Sequence, residues 1–142
     1  MKIQNPNYRQ EVEKIFAGSP FINDVGVQYQ ACGPGWCKTS LAIEPKHFQH
    51  SGVIHAGVLS TMADNTAGVA AYTLVPEGVN VLTIEFKINL LRAATGEQLV
   101  CEAKVLKPGR LFSIVESEIF AFPKGEQKLV CKATVTIGNI AP

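Results

Sequence analysis

Between a histidine-bearing loop at 46–55 and Pro76 the chain carries one long helix-like run in which nearly every residue is small or apolar. A helix without a broad polar face cannot rest on a surface, so other elements have to enclose it. One carboxylate, Asp64, stands inside that run. An ionised side chain buried without a partner costs several kcal/mol in order of magnitude, so Asp64 is expected to be either paired or used. The stretch from Gln49 to Tyr72 is therefore both the main constraint on the fold and the first candidate for a site.

The remaining sequence supplies the enclosure. Asn5-Pro6 reads as the start of a short helix on which Tyr8, Val12, Ile15 and Phe16 recur at helical spacing until Ala17-Gly18, with Phe21 and Ile22 as hydrophobic plugs beyond it. Strand patterns at 25–31 and 36–43 join through Cys32-Gly33-Pro34-Gly35 into a hairpin. After the Pro76-Glu77-Gly78 turn, four more strand patterns run over 79–91, 97–107, 111–122 and 128–137, separated by Thr95-Gly96, Pro108-Gly109 and Pro123-Lys124-Gly125. Leu82, Ile84, Phe86 and Ile88 alternate with Thr83, Glu85 and Lys87, which predicts one buried face for that strand. Short turns make the later strands antiparallel, and only the long helix can cover a sheet of about six strands. The expected architecture is α+β: one domain over 1–142 in which an antiparallel sheet wraps a central helix behind a short N-terminal helix.

Composition narrows the function classes. Thirteen basic and twelve acidic side chains give a formal net charge of +1, without the basic field a nucleic-acid surface needs. The opening MKIQNPNYRQ lacks a signal-peptide core, and no apolar run is long enough to span a bilayer, so a soluble, cytoplasmic protein with no membrane contact is expected. Cys32, Cys37, Cys101 and Cys131 are expected as free thiols, since a chain of this size needs no disulfide staples and no second close pair completes a metal knuckle with Cys32 and Cys37. His47, His50, His55 and Asp64 match no compact zinc spacing, so no metal is expected.

Several short features coincide on this background: Gly52-x-x-His55-x-Gly57, Asp64 nine residues after the histidine, Lys107-Pro108-Gly109-Arg110 at a strand turn, and Asn89-Leu90-Leu91-Arg92-Ala93 at a strand end. Together with the element order they resemble the hotdog-fold acyl-CoA thioesterases of the PaaI-like, phenylacetate-pathway type, over nearly the whole chain. The resemblance implies hydrolysis of acyl-CoA thioesters without a metal or redox cofactor, coenzyme A entering only as part of the substrate. It implies Asp64 as nucleophile or general base and the Gly57 N–H as donor to the thioester carbonyl. It also implies supporting roles for His55, for Gln49 and for Thr83, a coenzyme site at Lys107, Gly109 and Arg110 with Arg92 as a weaker candidate, and a homodimer often paired again into a tetramer. The family's usual His-Gly-Gly is broken here by Ala56, which keeps every backbone N–H while adding a methyl group at the acyl entrance.

Elementary geometry adds a condition. The first turn of a helix has N–H groups without intrahelical partners, so the turn at Gly57 suits a developing oxyanion. Gly57 and Asp64 are seven residues apart on one helix, or about 10 Å along its axis, too far to act on one carbonyl. If both act on one thioester, they come from two subunits with antiparallel helices. Other readings stay open: Asp64 bonded merely to Ser60, Thr61 or Thr83, a hydratase or dehydratase, and a non-catalytic acyl-CoA-binding protein.

Overall fold

The computed structural model describes all 142 residues. Helices α1 (Tyr8–Ala17) and α2 (Pro20–Val25) precede the hairpin of β1 (Val27–Gly33) and β2 (Trp36–Ala42). The long helix α3 (Ala56–Tyr72) follows, and then β3 (Asn80–Leu90), β4 (Gln98–Lys107), β5 (Phe112–Ala121) and β6 (Lys128–Ile140). All pairings are antiparallel, in the order β1-β2-β4-β5-β6-β3. The third strand thus crosses to the far edge, and α3 lies in the concavity against all six strands.

Small residues let the sheet close around α3. Met62, Ala63, Ala67, Ala70 and Ala71 are buried against Leu41, Leu99, Val115, Ile119, Val135 and Ile137. Polar atoms in this seam are paired: Thr39 and Thr66 hydroxyls meet at 2.8 Å, and the Ser117 hydroxyl donates to the Ala63 carbonyl at 2.8 Å. At the β1 edge of the concavity, α1 and α2 lie against β1 and α3, with Tyr8, Val12 and Phe16 buried and the Phe16 and Tyr29 rings 5.4 Å apart. The α1–α3 contact is fixed by Glu11, whose Oε2 accepts from the Tyr72 hydroxyl at 2.6 Å and from Asn5 Nδ2 at 2.9 Å.

Three expectations need correction. Phe21 and Ile22 are not loop plugs but part of α2, with Ile22 inward and Phe21 in solvent. That helix stops at Gly26, whose φ of 99° is left-handed, and so β1 starts and ends two residues later than its sequence pattern suggests. The α3 helix is buried on most sides, as expected, and open only at its start and along one stripe: Ala56 and Gly57 are exposed, and Asp64, Asn65 and Gly68 are half-buried. The alternation of Leu82, Ile84, Phe86 and Ile88 does not put all four on one face. A bulge between Thr83 and Glu85 inserts Ile84, so Thr83, Phe86 and Ile88 oppose the inward-facing Ile137, Val135 and Ala133, while Leu82 opposes Gly138 on the outer face. Leu82, Ile84, Phe86 and Leu90 remain 42–61% exposed on this edge strand.

Candidate active site

The loop ahead of α3 is tied down by its own backbone. A 3-10 turn at Pro45–His47 sets the His47 ring between the Glu44 N–H, accepted by Nδ1 at 2.9 Å, and the Val25 carbonyl, 2.6 Å from Nε2. Phe48 and Ile54 form a bridge, the Gln49 N–H donates to the Val53 carbonyl at 2.8 Å, and Gly52 turns the chain at a φ of 84°. Gln49 is half-buried here, and its side chain bonds to no other group of the chain.

His55 is the N-cap of α3, and its Nδ1 accepts the Gly57 N–H at 2.8 Å. An imidazole nitrogen that accepts carries no proton, so the ring proton sits on Nε2. The donor expected to hold an oxyanion is thus occupied by the neighbouring motif histidine. A carbonyl oxygen reaches that N–H only by displacing or sharing with the ring. A Cβ on residue 57 would stand 2.9 Å from His55 Nδ1, so any larger residue here would have to shift the imidazole.

Two turns further along α3, Asp64 accepts a hydrogen bond from the Thr83 hydroxyl, 2.6 Å from Oδ1. Thr83 can make it because the register before the bulge points it inward, opposite Ile137, and not to the polar side of its strand. Oδ2 has no partner within the chain. Asp64 and Thr83 stand at a cavity of about 450 Å³ between the end of α1, the exposed stripe of α3 and the start of β3, lined also by Asn65, Gly68, Tyr72 and Lys14. Sequence reasoning missed those four. Gly68 and Tyr72 were detectable, since positions four and eight beyond Asp64 share its face of the helix, whereas Lys14 has no local signal.

The other candidates lie apart. Lys107, Gly109 and Arg110 form the β4–β5 turn, where Asn139 Nδ2 donates to the Gly109 and Arg110 carbonyls at 3.1 and 2.9 Å. A Cβ on Gly109 would collide with the Phe112 carbonyl. Gly109 and Arg110 border a second cavity of about 560 Å³ with Met1, Lys2, Gln4 and Leu74, which shares no lining residue with the cavity at Asp64. Arg92 is exposed beside Val130, at the other end of β6 from Asn139. Nine residues of strand put about 30 Å between these ends, so Arg92 and Arg110 of one subunit cannot share a phosphate.

The cysteines offer no nucleophile. All four are buried, and burial pushes the Cys101 thiol up to about 12 and Cys131 to about 11, so neither forms a thiolate at neutral pH. No three His, Cys, Asp or Glu side chains converge as metal ligands would, and no helix is long and apolar enough to cross a membrane.

A sheet wrapped around one long helix, with the motif glycine at the start of that helix and a carboxylate two turns on, defines the hotdog class of thioesterase domains. Residues 51–128 match the thioesterase superfamily, more than half of the chain, and the protein belongs to that family. A thioesterase family protein from Silicibacter pomeroyi is 33% identical, covers 95% of this chain and 99% of its own, and superposes with a TM-score of 0.92. A conserved protein from Pseudomonas aeruginosa is 30% identical over 86% of this chain and 94% of its own, with a TM-score of 0.79. The PaaI protein of the E. coli phenylacetic acid degradation operon shares the fold at a TM-score of 0.86 over 97% of this chain and 96% of its own, at 16% identity. Family membership supports thioester hydrolysis as the general reaction.

Proposed function

We propose that the protein hydrolyses acyl-CoA thioesters in the cytoplasm as a homodimer, or a dimer of dimers, without a metal or redox cofactor. The observation that carries this reading is the Asp64 carboxylate, half-buried at a cavity, with Oδ1 fixed by Thr83 and Oδ2 free. A carboxylate held in this way is positioned to take a proton from water, or to attack a carbonyl itself. The nearest built oxyanion donor, the Gly57 N–H, lies about 10 Å away in the same chain. A two-fold axis passing midway between residues 60 and 61 of α3 brings the partner's Gly57 beside Asp64 and creates two equivalent sites. The bare apolar edge of β3 and the half-exposed stripe of α3 beside it support such a pairing.

In this arrangement the thioester oxygen takes the Gly57 N–H in place of His55 Nδ1. Water attacks the carbonyl carbon as Asp64 accepts its proton. The tetrahedral intermediate then collapses, the carbon–sulfur bond breaks, and the coenzyme leaves as a thiolate that recovers the proton. Gln49, with its unbonded amide, steadies the water or the displaced imidazole. Lys107 and Arg110, with the Gly109 backbone, hold phosphate groups of the coenzyme; Arg92, at the other end of β6, is too far from Arg110 in its own subunit to join them on the same phosphate. A non-catalytic acyl-CoA-binding protein is the second reading, favoured by one observation: the oxyanion donor is already taken by His55.

Thiol release from a panel of short, medium and aromatic acyl-CoAs tests both. Asp64→Asn should lower kcat by about 100-fold or more; undiminished turnover in that variant removes Asp64 from the chemistry. Binding of coenzyme A with no turnover by the wild type selects the second reading. Mixing Asp64→Asn with Gly57→Pro subunits should restore about a quarter of wild-type activity, since half of the randomly paired dimers hold one intact site of two. Exchange without recovery rules out the shared site.

A further inference from the structure

The cavity at Asp64 runs past Gly68 to Tyr72, and it is more than the mouth of the reactive centre. These three residues are successive turns of one face of α3, so the cavity extends about 12 Å beyond the carboxylate, the reach of roughly nine carbon–carbon bonds of ~1.5 Å. Gly68 keeps it open, for a Cβ there would meet nothing within 4 Å. The lining changes character along its length. At one end stands the Asp64 carboxylate; the only other formal charge on the lining is Lys14, on the last turn of α1, which forms no ion pair. Glu11, one turn back from Lys14, is already engaged by Tyr72 and Asn5.

The uncharged polar groups agree with that polarity. Asn80 uses its Oδ1 to accept the Val81 N–H, so its amide hydrogens remain available to a ligand. Asn65 Nδ2 is shielded from water with no hydrogen-bond partner, a costly state that an acceptor in the adjoining cavity relieves once the amide rotates. An alkyl chain filling this space would leave a cation and two amide donors facing hydrocarbon. A group with an oxygen anion at its end would pair with Lys14 and the Asn80 amide.

Building on the hydrolase reading above, we propose that this cavity receives the acyl group and selects acyl chains ending in a carboxylate, the mono-CoA esters of short dicarboxylic acids, over unsubstituted chains of equal length. Lys14 and Asn80 are the specificity residues, and Gly68 sets the depth. The test measures kcat/KM by thiol release for adipoyl-CoA and hexanoyl-CoA, which differ only in the terminal carboxylate. The wild-type ratio should favour adipoyl-CoA by roughly tenfold, the worth of one charge-assisted hydrogen bond. Lys14→Met should bring the ratio near one and Lys14→Glu should invert it; Lys14 is exposed, so neither change threatens folding. Gly68→Leu should depress the hexanoyl-CoA to acetyl-CoA ratio by blocking the depth.

A wild-type ratio at or below one, with both esters turned over, overturns this inference and leaves the hydrolase reading intact. So does a ratio that survives Lys14→Glu. Turnover of neither ester, nor of acetyl-CoA, overturns the hydrolase reading and this one with it.

Discussion

The sheet has two edges, and the chain treats them in opposite ways. Strand β1 is seven residues long, turns Gln28 and Gln30 outward, and has α1 and α2 laid against it. Strand β3 has eleven residues, no helix beyond it, and four large apolar side chains in solvent. An unpaired edge is a template for another strand unless it is short, polar or covered. The β1 edge satisfies all three conditions, whereas β3 is long, uncovered and blunted only by Glu85, Lys87 and its bulge, so β3 is the edge at which the proposed second subunit would pair. Asp64 sits directly behind β3, bonded to Thr83 of that strand, whereas none of the proposed catalytic residues lies behind β1.

The sharpest way to break this contrast is to charge one edge at a time. Leu82→Asp with Phe86→Asp should leave a folded monomer by circular dichroism and light scattering and lower thioester turnover by about 100-fold or more, the cost of losing an oxyanion donor. Gln28→Asp with Gln30→Asp, the same two charges on β1, should leave mass and turnover within about twofold of wild type, as surface changes do. Equal losses from both pairs would show that the edges do not differ in role.

A second experiment removes the cover from β1. Phe16 is 7% exposed and stacks near Tyr29, so Phe16→Ala should cost about 3 kcal/mol, read from urea unfolding. The freed β1 edge should then promote concentration-dependent aggregation on mild heating, while the dimer through β3 persists below that temperature. Unchanged aggregation would mean that the polar face of β1 protects it without the helices.

This contrast between edges was only partly legible in the sequence. The element order, the enclosed helix and the strand turns follow from hydrophobic period and from glycine and proline, because those are local properties. Sheet order is not local: nothing in 79–91 announces that this strand crosses to the far edge and leaves Leu82 and Phe86 in solvent. The bulge at Ile84 escaped for the same reason, since the apolar alternation reads smoothly through it and only pairing with β6 reveals the extra residue. At the candidate site, Asp64 stands out by its misplaced charge, whereas Thr83 is suggested only by the family resemblance and its strand pattern puts it on the wrong face. The hold of His55 on the Gly57 N–H was not foreseen, since it depends on the ring's rotamer and not on spacing. Lys14 was invisible because its contribution comes from the packing of α1 beside α3.

The smallest effect concerns the anchor that keeps α1 over β1. Burial and the hydrogen bond to Glu11 push the Tyr72 hydroxyl up to about 12, against an ordinary value of about 10. The folded state therefore holds this proton more tightly than the unfolded chain does. Its stabilising contribution is complete below pH 10 and is lost as the pH rises towards 12, where the folded hydroxyl ionises beside the Glu11 carboxylate. Tyr72→Phe should lower stability by about 1 kcal/mol at pH 8, the worth of one such hydrogen bond. The same variant should flatten the fall in stability between pH 10 and 12. The residual slope belongs to Tyr29, raised in the same direction by burial and the neighbouring Cys32, and to the Cys37, Cys101 and Cys131 thiols, raised by burial. Denaturant titrations of both proteins at pH 8, 10 and 11.5 measure this, and an alkaline slope identical in the two would mean that Tyr72 is not what fastens α1 in place.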